Sequence, residues 1–296
     1  MEIQISPKSV PKSPRLIDQQ VFTRLRTLFT EKNWLVDLEE NFIEMWNLCS
    51  DGHQQDLVEE LIRRFSYITS RDVRLNGEMI TDHITTQWEV DPDRALIIAF
   101  ADSDKPDGSQ ALLQSIKDKF ALKDKWSPKI FVNKLTAGAY KLKSGDTAIL
   151  IDDFVGTGNT ARNRINWLVN TLQKRHVTEY KIFVVALAMM ESAKTVLDSL
   201  PIEDYFACLW LRRGISDEYK GDQLSVRTQS MIELEQLLGV SFKRHNLAMY
   251  HFGFGHSEAL FSLEAQNTPN NVFPIFWWPV LNSGKKRNTM FRHFLG

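Results

Sequence analysis

Two adjacent carboxylates, Asp152 and Asp153, follow a short apolar run, Ala148–Ile151. A small-residue loop, Gly156-Thr157-Gly158-Asn159-Thr160, comes next and opens directly into a helical pattern over residues 160–175. A strand that delivers carboxylates to a loop at a helix start is a place to hold a phosphorylated sugar. Backbone N–H groups at the helix start attract the phosphate. The carboxylates accept hydrogen bonds from sugar hydroxyls.

The elements around this stretch must hold it in place. Residues 94–100, Arg-Ala-Leu-Ile-Ile-Ala-Phe, form an apolar run of β character, followed by a polar loop, 101–109, and a helix over 110–120. Residues 129–133 read as the next strand, 136–145 as a loop with a turn at 143–146, and 148–152 as the strand that carries the acids. Further apolar strands are expected at 181–189 and 205–211, with a helix over 191–200 between them. Runs without polar alternation indicate strands covered on both faces, as in a parallel sheet between helices. The alternation of strand and helix gives an α/β class with right-handed crossovers.

Before this unit the spacing is helical. Val21, Leu25, Leu28 and Phe29 share one face. Trp34, Leu38, Phe42, Met45 and Trp46 suit a second helix, and Leu57, Val58, Leu61, Ile62 and Phe65 a third. A short helix is expected around Asn76–Gln87. The organisation expected is an extended arm over 1–15, a helical subdomain over 16–91, an α/β core over 92–213, and a C-terminal helix with a hood-like segment over 214–296.

Composition excludes some classes. The chain has 296 residues, 43% of them hydrophobic and 25% charged, which is ordinary for a globular protein. Its net charge of −1 gives no case for nonspecific nucleic-acid binding. Two distant cysteines, Cys49 and Cys208, argue against a disulfide framework and for a reduced, cytoplasmic setting. No apolar run is long enough to span a membrane, and the first residues lack the apolar stretch of a signal peptide.

The stretch Ala148–Thr160 resembles the phosphoribosyl pyrophosphate (PRPP) motif of type I phosphoribosyltransferases: four apolar strand residues, the acidic pair, then a loop of the form T-G-x-T. The resemblance implies an α/β, mostly parallel sheet of that family's kind over roughly 92–213. It implies that Asp152 and Asp153 hold the ribose hydroxyls and that Thr157, Gly158, Asn159 and Thr160 grip the 5′-phosphate. Mg2+ would enter with the PRPP, with no direct metal ligands from the protein. The family's pyrophosphate loop corresponds by position to 101–109, with Lys105, Gly108 and Ser109 as its candidate contacts. Its mobile loop corresponds by position to 133–143, with Lys134, Lys141 and Lys143 as candidate charge partners. There are departures. Phe154 replaces a smaller aliphatic residue, and Gly156 stands where several purine-salvage members carry an aspartate that acts near the base nitrogen. The family also implies a homo-oligomer.

With the segment from Gly255 to Pro279, the chain is similar to a narrower group of bacterial phosphoribosyltransferase-like proteins. Two readings follow from the resemblance. One is transfer of phosphoribosyl to or from a nucleobase-like acceptor. The other is a non-catalytic PRPP- or nucleotide-sensing component, regulatory or antiphage, whose protein partner meets the helical N-terminal part. Asn267, Asn270 and Asn271 are turn formers beside prolines, and they are also amides that can read a nucleobase edge. Phe276, Trp277 and Trp278 suit core anchoring or base stacking. His245, His251, His256 and Glu258 match no common zinc spacing. Lys285, Lys286, Arg287, Arg292 and His293 read as a solvated basic tail.

Overall fold

A computed structural model describes residues 18–101 and 107–295. In chain order the helices are α1 (Gln19–Glu31), α2 (Glu39–Trp46), α3 (Gly52–Arg64), α4 (Ser70–Asp82), α5 (Gly108–Phe120), α6 (Leu135–Lys141), α7 (Asn159–Lys174), α8 (Lys194–Leu197) and α9 (Gly221–Gln236). The strands are β1 (Ser66–Ile68), β2 (Ala95–Ala99), β3 (Phe131–Val132), β4 (Thr147–Val155), β5 (Lys181–Met190), β6 (Asp204–Leu211), β7 (Ser241–Phe242), β8 (His245–Asn246) and β9 (Phe261–Leu263).

Five strands form one parallel sheet in the order β3-β2-β4-β5-β6. Ile98 lies opposite Leu150, and Ile151 lies between Ala99 and Val185. Alternate residues feed two cores. Ile97, Ile149, Ile151, Val185 and Leu187 point to one that also holds the N-terminal helices and the C-terminal segment. Ile98, Ala148, Leu150, Val184 and Ala186 point to the other, packed under α6, α7 and α8. Both faces are covered, which is why these strands carry continuous apolar runs.

The order fixes where a ligand can sit. The chain leaves β2 for β3 on one side and returns to β4 on the other. Ligands of open α/β sheets bind beyond the carboxyl ends of the strands at such a reversal. Here those ends are Ala101 and Asp107 after β2, and Asp152 and Asp153 in β4.

Several elements differ from the sequence expectation. The helix expected at 76–87 begins six residues earlier, as α4. Thr69 and Asp72 form a reciprocal capping box there, and α4 runs on into a π-helical turn, His83–Gln87. The region expected as a loop at 136–145 contains α6. Leu135 and Ala139 are buried, and Gly138 is close enough to Ile98 that a Cβ would fall 2.6 Å from it. The mobile-loop assignment of 133–143 therefore falls largely on a packed helix. β3 is only two residues long after a 3-10 turn, Pro128–Ile130. The helix expected at 191–200 is a 3-10 turn plus the single turn α8. The stretch Asn33–Leu38 is a 3-10 segment before α2.

The N-terminal helices and the C-terminal segment meet directly. β1 and β9 pair in parallel with Ser66 opposite Phe261, and the Ser66 N–H donates to Leu260 O. Glu264 caps α4 by accepting from the Ser70 N–H and hydroxyl, each at 2.8 Å. Phe65 stacks on Phe291 with ring centroids 4.6 Å apart and meets Phe276 edge-on. No helix among the described residues is long and apolar enough to cross a membrane.

Candidate functional site

β4 brings Asp152 and Asp153 half-buried to the sheet edge, beside Asp107 at the start of α5. One oxygen of each carboxylate lies within 4.8 Å of the others. The Asp153 N–H donates to Asp152 Oδ1 at 3.0 Å. Burial pushes the Asp152 carboxyl well above its usual range, with repulsion from Asp153 and Asp107 adding to it and Arg164 pulling the other way. Burial likewise raises Asp153, and Asp107 adds repulsion. Three close carboxylates form a hard-oxygen donor set that suits a divalent cation such as Mg2+. The sequence reading assigned no direct metal ligands and did not pick out Asp107.

Behind the acids, Gly158 turns the chain with a φ of +78°, a conformation that favours glycine. It stands at the start of α7, which has no side-chain cap. A Cβ on Gly158 would also lie 3.0 Å from Val196 of α8. Asn159 and Thr160 are exposed, and the Asn159 N–H points at Thr157 Oγ1, 3.4 Å away. A helix of 16 residues without a cap thus presents its N–H groups and positive dipole end to the cleft. Gly156 through Thr160 and Asp152 line one cavity of about 310 Å³, closed on the far side by Phe254, Asn270 and Asn271. Asp107, Gly108 and Asp153 line a second of about 300 Å³ with Gln266, Asn267, Pro269 and Asn271. Phe154 and Asn271 belong to both walls.

Lys105 lies outside the described residues. Gly108 packs against the Asp153 carboxylate, so that a Cβ there would fall 2.2 Å from it. Ser109 is buried and donates both its N–H (2.8 Å) and its hydroxyl (2.5 Å) to Asp107 Oδ1. The N–H that the sequence reading offered to pyrophosphate is thus paired within the cap.

The C-terminal segment does reach the cleft. Asn270 and Asn271 face the Gly156–Thr160 loop, and Asn267 and Asn271 face the carboxylates. Asn267 is exposed, and its Oδ1 accepts from the Phe294 N–H at 2.5 Å. The turn over 250–258, where the sequence reading weighed His251, His256 and Glu258 only as a metal set, packs against Asn271 and Thr157. Phe252, Gly253, Gly255, His256 and Glu258 all have positive φ. Backbone of this kind persists only where its surroundings hold it. Glu235, fully buried, accepts from the Phe252 N–H (3.2 Å) and sits 2.7 Å from His251 Nδ1. Glu258 accepts from the Ile215 and Ser216 N–H groups, both at 2.7 Å. Gly253 lies against the Asn271 backbone and Gly255 against Thr157. The two glycines of Phe252-Gly-Phe-Gly-His256 were the available signal.

The remaining candidates are structural. Phe276, Trp277 and Trp278 are fully buried, so they are core residues and not a stacking platform. His245 pairs with the Tyr250 hydroxyl at 2.8 Å. Arg287 is not solvated, as the basic-tail reading expected. It is buried and donates to Ile275 O at 2.7 Å.

A family model named PRTase-CE matches residues 34–292, which span β1 to β9 and every residue of the cleft described above. The chain belongs to the PRTase-CE family. Among curated proteins, none matches. Among solved structures, a hypothetical protein from Neisseria gonorrhoeae with bound ppGpp is 12% identical with a TM-score of 0.34, covering 49% of this chain and 86% of its own. The hypoxanthine-guanine phosphoribosyltransferase of Schistosoma mansoni in complex with IMP is 14% identical (TM-score 0.33; 49% of this chain, 68% of its own). The enzyme of Leishmania tarentolae in complex with GMP is 13% identical (TM-score 0.34; 50% and 82%).

Proposed function

We propose that this PRTase-CE protein binds PRPP or a nucleotide 5′-phosphate and transfers the phosphoribosyl group to or from a nucleobase-like acceptor. One observation carries the reading: β4 puts the acidic pair and the uncapped start of α7 on one cleft, at the reversal of the strand order. Thr157, Gly158, Asn159 and Thr160 hold the 5′-phosphate through backbone N–H groups and hydroxyls. Asp152 and Asp153 accept from the ribose hydroxyls and so orient C1. Asn267, Asn270 and Asn271 face the acceptor side. Asp107, Asp152 and Asp153 are the residues that would hold Mg2+, which when bound neutralises pyrophosphate charge. The protein's own share is position and electrostatics, set in advance of ligand.

A second reading, a sensor that binds the same ligand without turnover, is favoured by the wall opposite the phosphate loop. Phe254, Asn270 and Asn271 there carry no group able to take or give a proton at neutral pH.

Isotopically labelled PRPP with Mg2+ and a panel of nucleobases and nucleosides separates the two. Pyrophosphate release that disappears in Asp152→Asn and Asp153→Asn supports the transferase. Tight PRPP binding with no release in any mixture supports the sensor.

A further inference from the structure

We infer that Asn271 selects for a hydrogen-bond donor on the acceptor end of the ligand, and that Ser257 fixes this selectivity. The inference deepens the ribose-phosphate reading above and rests on it.

The Asn271 amide lies over Gly156. A Cβ on Gly156 would fall 2.5 Å from both Cγ and Nδ2 and 2.6 Å from Oδ1, so the glycine makes the room that the amide fills. Its orientation follows from counting hydrogens. The Ser257 hydroxyl has one hydrogen, and it donates that hydrogen to Phe254 O at 2.5 Å. Towards Asn271, Ser257 Oγ therefore acts as an acceptor. Phe254 O is a carbonyl and only accepts. The amide atom facing both, at 2.7 Å and 3.1 Å, must be the NH2 group. The NH2 side of the amide is thus turned to the hood, which leaves Oδ1 to accept from a donor on the ligand. Ser257 is buried and lies in the turn that Glu235 and Glu258 pin, so the amide cannot turn over without breaking that arrangement.

Position supplies the rest. Asn271 stands where the phosphate cavity meets the carboxylate cavity, and a ligand that fills both passes beside it. A fixed acceptor at that point favours a heterocycle bearing N–H or NH2 over one with acceptors only. A ligand that buries Oδ1 without offering it a donor would lose about 1–3 kcal/mol, which corresponds to roughly 5- to 150-fold in affinity.

Titration calorimetry of the full chain with Mg2+ tests this with four probes. Ribose 5-phosphate reports the phosphate and ribose site. Purine riboside 5′-monophosphate has no donor on its base, AMP has an exocyclic amino group, and IMP has a ring N–H. AMP or IMP should bind about fivefold or more tighter than purine riboside monophosphate. Asn271→Ala should erase that gap while ribose 5-phosphate still binds. Ser257→Ala keeps the amide but frees it to rotate, and it should narrow the gap; it decides the matter if circular dichroism shows Asn271→Ala unfolded. Equal affinity for the three nucleotides, or a gap that survives both substitutions, overturns the inference and leaves the ribose-phosphate reading standing. Failure of ribose 5-phosphate to bind overturns that reading and the inference with it.

Discussion

Asp152 and Asp153 are held apart from enough water, and close enough to Asp107, that their ionised forms are disfavoured. A site of this kind trades stability for readiness to bind. Replacing Asp152 with Asn removes a poorly solvated charge and a charged acceptor together. The unliganded protein should then melt at a higher temperature, while affinity for a ribose phosphate falls by about 10- to 100-fold. Calorimetric melting and ligand titration on the same sample check both directions. Glu235 gives a pH prediction. Burial pushes its carboxyl from an ordinary 4.5 up to about 7, with His251 and the Phe252 N–H pulling back. The folded value lies above the unfolded one, so the stability it contributes is full below about 4.5 and is lost as pH rises through about 7. Across that window the loss is about 3 kcal/mol. Thermal melts at successive pH values should show this decline in the wild type and flatten in Glu235→Gln. The acidic pair was legible in the sequence because it ends an apolar run. The roles of Asp107 and Glu235 were not, since each depends on a partner that only folding brings near.

The loop between β4 and α7 is where an element-scale test belongs. Gly158→Ala would place a side chain at a φ of +78° and against Val196. The strain should cost about 1–2 kcal/mol and shift the start of α7, with phosphate binding lost in the same titration. Gly156→Ala has no such φ penalty, and its Cβ instead meets the Asn271 amide. It should displace the hood while leaving the melting temperature less affected than Gly158→Ala does. The strands of the sheet were legible because burial on both faces leaves an unbroken apolar signature. α6 was not, because a seven-residue helix with Gly138 at its centre reads as a turn until Ile98 is seen to pack on that glycine. The early start of α4 was present in the sequence as Thr69 and Asp72, a capping box that periodicity alone passes over.

At the scale of the whole molecule, one apolar cluster runs from Leu28 and Leu57 through Ile151 to Trp278 and Phe291. The segment that closes the cleft is therefore supported by the N-terminal helices. Phe65, stacked between them and Phe291, should cost about 3–5 kcal/mol when changed to Ala. Scanning calorimetry should show one lowered transition and not the early melting of a separate piece. The end of the parallel sheet was legible as a change in pattern after Arg213, next to the end of β6 at Leu211. The pairing of β1 with β9 was not, because two three-residue strands nearly 200 positions apart carry no local signal. The most direct test is titration of PRPP with Mg2+ into the wild type and into the Asp152→Asn, Asp153→Asn double variant. Saturable one-site binding that weakens at least tenfold in the variant is the expected result. No binding to the folded wild type, or equal binding to both, would contradict the assignment of this cleft to a phosphorylated ribose.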